Sequence, residues 1–361
     1  MTASRVFEFS PDYTAAPGET LRQKLIELNI TQTDLAARSG LSAKTVNQII
    51  QGVAPLTTET ALALERITGT PTAVWSRLES SYREALLRKA EEKLSREDEE
   101  WMESLPVRQL IQAGELPASD SPPKLFQSLL AFFGVADRAA WEGLWRRPVA
   151  SFKRTKAFKS DPGAVASWLR VGQRLAIGID RQPYDQKAFK AAVQEVRRVT
   201  MKADFEALVE LCREAGVTVL FVPEIGNSRI SGAAWWASPT HAVIQLSDRY
   251  KSDDHFWFSF FHEAGHVLLH SKKETFIDDG SEDDEIEEEA SRFASNTLIP
   301  SSYATVLSTV RTPSQVEALA AELGIAPGII VGRLQHDHIW PWNRGNQFKK
   351  AIHFVEDKEP V

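Results

Sequence analysis

The chain has 361 residues, 43% of them apolar, and a formal net charge of −7. This length exceeds one ordinary core and the composition is globular, so two or three domains are expected. The negative charge excludes a chain that coats nucleic acid or membrane, although a small DNA-binding module can sit inside an acidic protein. No apolar run approaches about 18 residues and no charged-then-apolar leader opens the sequence, so neither a membrane span nor a signal peptide is expected, and the location is expected to be cytoplasmic. The single cysteine, Cys212, falls on a predicted helix ending at Gly216. It reads as a small buried residue and cannot form an intrachain disulfide.

In chain order, the first informative stretch runs from Thr31 to Gly52 and predicts a helix-turn-helix. Thr31 is placed to cap a first helix whose Leu35 and Ala36 face inward, and Gly40 permits a left-handed turn. Ser42 then caps a second helix with a buried stripe of Val46, Ile49 and Ile50. That stripe leaves Lys44, Thr45, Asn47 and Gln48 outward, a donor-and-acceptor set suited to groove edges and phosphates. Together with Thr31, Gln32 and Ser42 they are the candidate DNA contacts. The continuation from Pro55 through Leu62, Leu64 and Gly69 to Trp75 resembles HigA-type antitoxin repressors of the XRE class, over about Gly18 to Leu78. The resemblance implies dimeric operator binding and, in that family, a toxin partner encoded nearby. The region is only weakly basic, so non-specific DNA affinity should be modest and specific contacts should matter more.

The middle of the chain is predicted mostly helical. Glu91 to Glu103 is crowded with charge and reads as a solvated helix or linker, and a second break is expected around Pro117 to Pro123. Trp145-Arg146-Arg147 and the stretch from Phe152 to Lys159 interleave basic and aromatic residues. They read as a basic loop or docking surface, with nucleic-acid contact as the alternative. Val165 to Ile177, with Trp168 and Leu169, reads as a core helix.

Further on, His262-Glu263-Ala264-Gly265-His266 follows directly on the apolar run Phe256-Trp257-Phe258-Ser259-Phe260-Phe261. Residues four apart share a helix face, so His262 and His266 can offer two imidazole nitrogens to one ion. Glu263, one position round, is placed to act on water instead, the general-base position of a zinc hydrolase. A third ligand is needed. His270 continues the series, but eight residues at about 1.5 Å each separate it from His262 by about 12 Å, too far for bonds of about 2 Å to converge unless the helix breaks. It is expected beside a ligand or at the helix end. Three glutamates on the next predicted helix compete. Glu289 is favoured because it precedes Ala290 and stands one turn before Phe293; Glu287 is the alternative, and Glu288 points about 100° away.

The sequence H-E-A-G-H-V-L-L-H, followed by E-x-E-A-S-R-F-A and L-I-P, resembles the ImmA/IrrE group of metallopeptidases, over roughly Met201 to Ile339. Strand-like stretches at 217–222, 230–236 and 241–246 belong to the same resemblance. It implies a small α+β zincin-like domain in which His262, His266 and Glu289 hold Zn2+, Glu263 is the catalytic acid/base, and one partner repressor or regulator is cut. Ser231 and Gly232 open a strand expected to hold an extended substrate at a sheet edge. Tyr303, Tyr250, His241 and His270 are candidate oxyanion donors. The acidic run from Asp278 to Glu285 reads as a solvated loop, with a cover over the active-site mouth as the alternative. Gln315 to Ile325 with Val331 and Leu334 faintly echoes a second helix-turn-helix, but a helical hairpin packed on the core is preferred.

The expected whole is mainly α: an all-α helix-turn-helix domain (1–90), a helical middle region (91–200) and the α+β domain with its C-terminal hairpin (201–361). The expected function is a DNA-binding transcriptional regulator with a zinc endopeptidase acting on a partner protein in a stress, toxin-antitoxin or phage-defence response. The alternative is an antitoxin-like autorepressor whose zinc domain only docks.

Overall fold

The computed structural model describes residues 16–146, 161–180, 182–270, 276–278 and 285–352. The basic and aromatic stretch from Phe152 to Lys159 and the acidic residues 279–284 lie outside them. Contacts divide the chain into two compact units, between Ser95 and Arg96.

The first unit is all helical: α1 (Pro17–Glu27), α2 (Gln32–Ser39), α3 (Ala43–Ile50), α4 (Thr58–Thr68) and α5 (Thr72–Glu91). Thr31, Ser42 and Thr57 begin α2, α3 and α4 by accepting a hydrogen bond from the amide three residues on. Each such cap satisfies an orphan amide and contributes about 1 kcal/mol. Gly40 ends α2 at φ +73°, where a side chain would be strained. The core is built from Leu21, Leu25, Leu35, Val46, Ile49, Ile50, Leu64 and Trp75.

The second unit opens with α6 (Arg96–Glu103), α7 (Val107–Gln112), α8 (Pro122–Phe133) and the short α9 (Arg138–Trp141). The charge-crowded stretch is therefore more than a solvated linker. Its α6 buries Trp101 and Met102, and Trp101 packs edge-on to Phe126 at 5.5 Å and Trp141 at 5.6 Å. Trp145 joins the same nest, 5.6 Å from Phe133, so it is a core residue and no part of an exposed basic face.

Next come α10 (Pro162–Leu175), α11 (Gln186–Val199) and α12 (Phe205–Glu214). In α10 the Trp168 indole donates to the Val222 carbonyl at 3.0 Å, and the Gln245 amide donates to the Trp168 carbonyl at 2.8 Å. These bonds tie the helices before residue 200 to the sheet. The expected separate middle region is thus part of the second unit, and the break around Pro117 to Pro123 is an internal loop leading into α8.

Strands β1 (Val217–Phe221), β2 (Gly232–Ser238), β3 (His241–Leu246) and β4 (Phe276–Asp278) form one four-stranded sheet in the order β1-β3-β2-β4. β1 runs parallel to β3, and β2 runs antiparallel to both neighbours. This corrects the expected substrate edge: Gly232 pairs with Leu246 on one side and Asp278 on the other, so β2 is interior and cannot take a further strand. A run of small residues, Gly232-Ala233-Ala234, is what a strand covered on both edges and pressed by a helix requires. The end strand on that side is β4.

Helix α13 (Asp253–Leu269) packs on β2 and β3 and against α14 (Glu285–Leu298). After the single turn α15 (Ala304–Leu307), helices α16 (Pro313–Leu323) and α17 (Pro327–His336) meet at Gly324, where the chain turns by 115°. That turn has helix-turn-helix geometry. Its second helix, unlike α3, has no exposed residue from Pro327 to Gln335, so it presents no outer face to a DNA groove. Among the described residues no single helix is long and apolar enough to cross a membrane.

A close approach of α1 to α3 holds the first unit together: a Cβ on Gly18 would stand 2.2 Å from the Ile50 carbonyl oxygen and 2.5 Å from that of Ile49. Backbone atoms at a helix end cannot step aside cheaply. Gly18→Ala is therefore expected to destabilise this unit by about 1–3 kcal/mol, read as a lower urea midpoint for its transition.

Candidate metal centre and helix-turn-helix face

Helix α13 is apolar nearly all round, so a polar residue it carries is taken out of water. Its start is fixed by two buried acids. Asp253 accepts from the Lys350 amide at 2.9 Å, and Asp254 pairs with Lys349 at 2.6 Å. Both acids also suit the positive end of the helix dipole. Two turns on, His262, Glu263 and His266 are 2%, 0% and 0% exposed.

The two imidazoles sit one above the other, with His262 Nε2 and His266 Nε2 3.0 Å apart. Glu287 of α14 faces both, at 3.0 Å from His262 Nε2 and 3.4 Å from His266 Nε2. Ligands about 2.0–2.1 Å from a tetrahedral zinc lie about 3.3 Å from one another; the 3.0 Å contact is to Glu287 Oε2 and the 3.4 Å contact to its Oε1, so the two nitrogens and one carboxylate are close enough to share one ion. Two nitrogens and one carboxylate oxygen are a donor set that zinc and other transition ions take. Burial pushes the His266 pKa below its usual range, which keeps the imidazole neutral and able to ligate. Burial pushes the Glu287 carboxyl upward, but bonds from His262 and His266 outweigh it and hold the pKa down to about 2.

The structure brings Glu287 to the pair, and Glu289 elsewhere. Glu289 is 47% exposed and its Oε2 lies 3.3 Å from His270 Nε2. The expectation for Glu289 phased the helix on its largest apolar residue, Phe293, which is only half-buried. The face that enters the core is Ala290, Ala294 and Leu298. Glu287 lies on that face one turn before Ala290, while Glu289 stands about 100° off it. Small residues set the approach: a Cβ on Gly265 would be 3.3 Å from the Ala290 Cα and 3.2 Å from Phe293. Ser291, which sequence reading missed, lies one turn after Glu287 with its Oγ 3.2 Å from His262 Nδ1. Its signal was there to find, a small polar residue beside Ala290 on the same stripe.

Glu263 faces the start of β2. A Cβ on Gly232 would stand 2.7 Å from Glu263 Oε1, so Gly232 makes room for the carboxylate instead of contacting an added strand. Ser231, its neighbour, lines a small cavity with Ser247, Tyr250, His255 and Ser259. Ser259 lies one turn before Glu263 on the same helix, but none of His262, Glu263, His266 or Glu287 lines this cavity. Of the candidate oxyanion donors, Tyr250 lines this cavity and stacks on His255 at 4.2 Å. His241 is buried in the sheet with Nε2 2.9 Å from Thr218 Oγ1, Tyr303 donates to Glu322 at 2.8 Å, and His270 sits beside His266. Cys212 is fully buried and burial pushes its thiol pKa up, which suits packing and not nucleophilic chemistry.

In the first unit Thr31, Gln32, Ser42, Lys44 and Asn47 are exposed, and Thr45 and Gln48 half-buried. Thr31 bonds Asp34 and Ser42 bonds Thr45 as caps. Lys44 and Asn47 are the side chains most open on the outer face of α3.

A capped helix-turn-helix and a separate α+β unit that sets an H-E-x-x-H helix against an acid-bearing helix together define a two-module protein of metallopeptidase fold. Residues 212–335 match the peptidase family model described as the IrrE N-terminal-like domain, and residues 21–75 match the family model described as helix-turn-helix. Among solved structures, it is similar to a Pseudomonas aeruginosa antitoxin HigA with the higBA promoter, at 33% identity over 22% of this chain and 86% of that one, TM-score 0.21. It is also similar to a Coxiella burnetii addiction module antidote protein of the HigA family, at 28% identity over 21% and 85%, TM-score 0.21. No curated protein matches the chain.

Because Gly265 sets the distance between the helices, Gly265→Leu should push Glu287 away from the imidazoles. Zinc affinity, measured by competition with a chromophoric chelator, should fall by more than about tenfold, the effect of about 1.4 kcal/mol of lost coordination.

Proposed function

We propose that this protein is a DNA-binding regulator whose second unit is a zinc-dependent endopeptidase acting on a specific partner protein. The observation that carries this reading is the convergence of His262, His266 and Glu287 within ligand distance, with the Glu263 carboxylate on the adjacent face of the same helix. His262 Nε2, His266 Nε2 and a Glu287 oxygen would hold the ion. Zinc, when bound, supplies a Lewis acid that acidifies water and polarises a carbonyl.

The chain's own residues supply the rest. Glu263 is held by burial and by the space that Gly232 leaves for its carboxylate. There it accepts the proton of the attacking water and returns it to the leaving amine. Apolar α13 keeps bulk water from the carboxylate. An extended peptide is taken up at β4, the end strand next to β2, by main-chain pairing.

Through the first unit, Lys44 meets phosphate, and Asn47 and Gln48 read base edges. The target is a protein of the same regulatory circuit, a repressor, regulator or toxin. DNA occupancy and cleavage would then lie on one chain.

Glu263→Gln should retain zinc at wild-type stoichiometry and lose cleavage entirely. The check is co-expression of both forms with the proteins of neighbouring genes and mass spectrometry for new termini. Fragments in wild type alone support the peptidase, and identical profiles support a docking domain that cuts nothing. On the DNA side, Lys44→Ala should weaken binding to the promoter upstream of the protein's own gene and to unrelated DNA alike, lowering the salt slope by about one. Asn47→Ala should cost about 1–3 kcal/mol on the promoter alone. Titration at several salt concentrations separates the two.

A further inference from the structure

The sequence places a third histidine one turn beyond the pair, and the structure gives it partners on two sides. Helix α13 ends there: the His270 amide donates to the His266 carbonyl at 3.1 Å, and its backbone then leaves the helix with φ −109° and ψ 176°. The side chain is turned back so that His270 Nδ1 lies 2.9 Å from His266 Nδ1. On its far side His270 Nε2 lies 3.3 Å from Glu289 Oε2. The His270 side chain is 7% exposed and Glu289 is 47% exposed.

Only one arrangement of protons satisfies this chain of contacts together with a ligating His266 Nε2. A nitrogen that offers its lone pair to an ion leaves the other ring nitrogen carrying the proton. His266 therefore donates from Nδ1. His270 accepts at its own Nδ1, which leaves its proton on Nε2, facing the Glu289 carboxylate oxygen. His262 is handled separately, through Ser291 Oγ at its Nδ1. The two ligand imidazoles thus have different outer partners, a hydroxyl for one and a histidine backed by a carboxylate for the other.

We propose that His270 and Glu289 form a positioning relay that fixes the tautomer and ring orientation of His266, so that the glutamate next to the ligand-bearing Glu287 serves the same metal at one remove. The inference rests on the metal reading above for what the relay serves, but not on peptidase activity. Its physical basis is that a ligating imidazole swings about its side-chain bonds unless its second nitrogen is held. Such outer partners are worth about 10–100-fold in metal affinity. Glu289, in water on one side, contributes less than His270 because solvent screens it.

The test measures zinc affinity of the full chain by chelator competition, with unfolding of the metal-free proteins followed in parallel. His270→Leu fills the space and removes the acceptor, and is expected to weaken zinc about 10–100-fold. His270→Asn sets an amide oxygen where Nδ1 stood and is expected to restore affinity to within about threefold of wild type, a rescue that mere packing would not give. Glu289→Gln keeps an acceptor, and a loss of no more than about threefold is expected, with a larger one for Glu289→Ala. In the zinc-loaded wild type, nitrogen-detected NMR should show His270 bare at Nδ1 and protonated at Nε2, with His266 protonated at Nδ1. That readout decides the matter if His270→Leu does not fold.

Wild-type affinity in His270→Leu, equal losses in the Leu and Asn variants, or a His266 that ligates through Nδ1 would each overturn the relay. Wild-type protein that takes up no zinc overturns the metal reading and the relay with it. Zinc uptake that responds as described, without any cleavage, leaves the relay standing and removes only the peptidase.

Discussion

Two imidazoles and a carboxylate buried on an almost wholly apolar helix are the constraint to which the second unit answers. Burying such groups without partners costs several kcal/mol each, more than most single contacts return. The surroundings of α13 are arranged against that cost. Glu287 and Ser291 come from α14, His270 folds back from the helix end, and Gly232 leaves space at Glu263. The sheet and the outer helices keep α13 dry and rigid, which is what a fixed ligand geometry needs.

Much of this was legible in the sequence, and the limits have physical reasons. The H-E-x-x-H spacing reports a helix face directly, because the period of the helix is fixed, so His262, Glu263 and His266 could be named without coordinates. The helix-turn-helix was equally readable, since caps, a left-handed glycine and two buried stripes are all local features. The acid on the second helix was harder. Its phase relative to α13 is set by which residues touch across the interface, and there a small residue outweighs a large one. Phe293 attracts the eye and does touch α13 beside Ala290, yet the face that is fully buried is Ala290, Ala294 and Leu298. Strand order was not readable at all: whether Gly232 lies at an edge depends on a three-residue strand some forty positions later, with no strong pattern of its own.

The middle region illustrates a different failure. Charge density between Glu91 and Glu103 suggested a linker, but charge counts average over faces. In α6 Trp101 and Met102 are buried although six of the eight residues are charged, and Asp98 on their face pairs with Arg138, so a highly charged helix anchors an aromatic nest. Proline and serine around 117–123 marked a real break in local structure, and no break in the contacts that define a domain. The glutamine and tryptophan linking α10 to the sheet are single residues whose partners lie far along the chain. A local reading has no access to such bonds, and they decide where one unit ends.

The tight seat of Ala290 on Gly265 also bears on how variants of this protein tolerate change. An acid delivered by a helix that docks through its own alanines arrives at the imidazoles whatever the number of residues leading up to it. A single added residue inside the turn from Glu287 to Ala290 would rotate the carboxylate by about 100° and lose it.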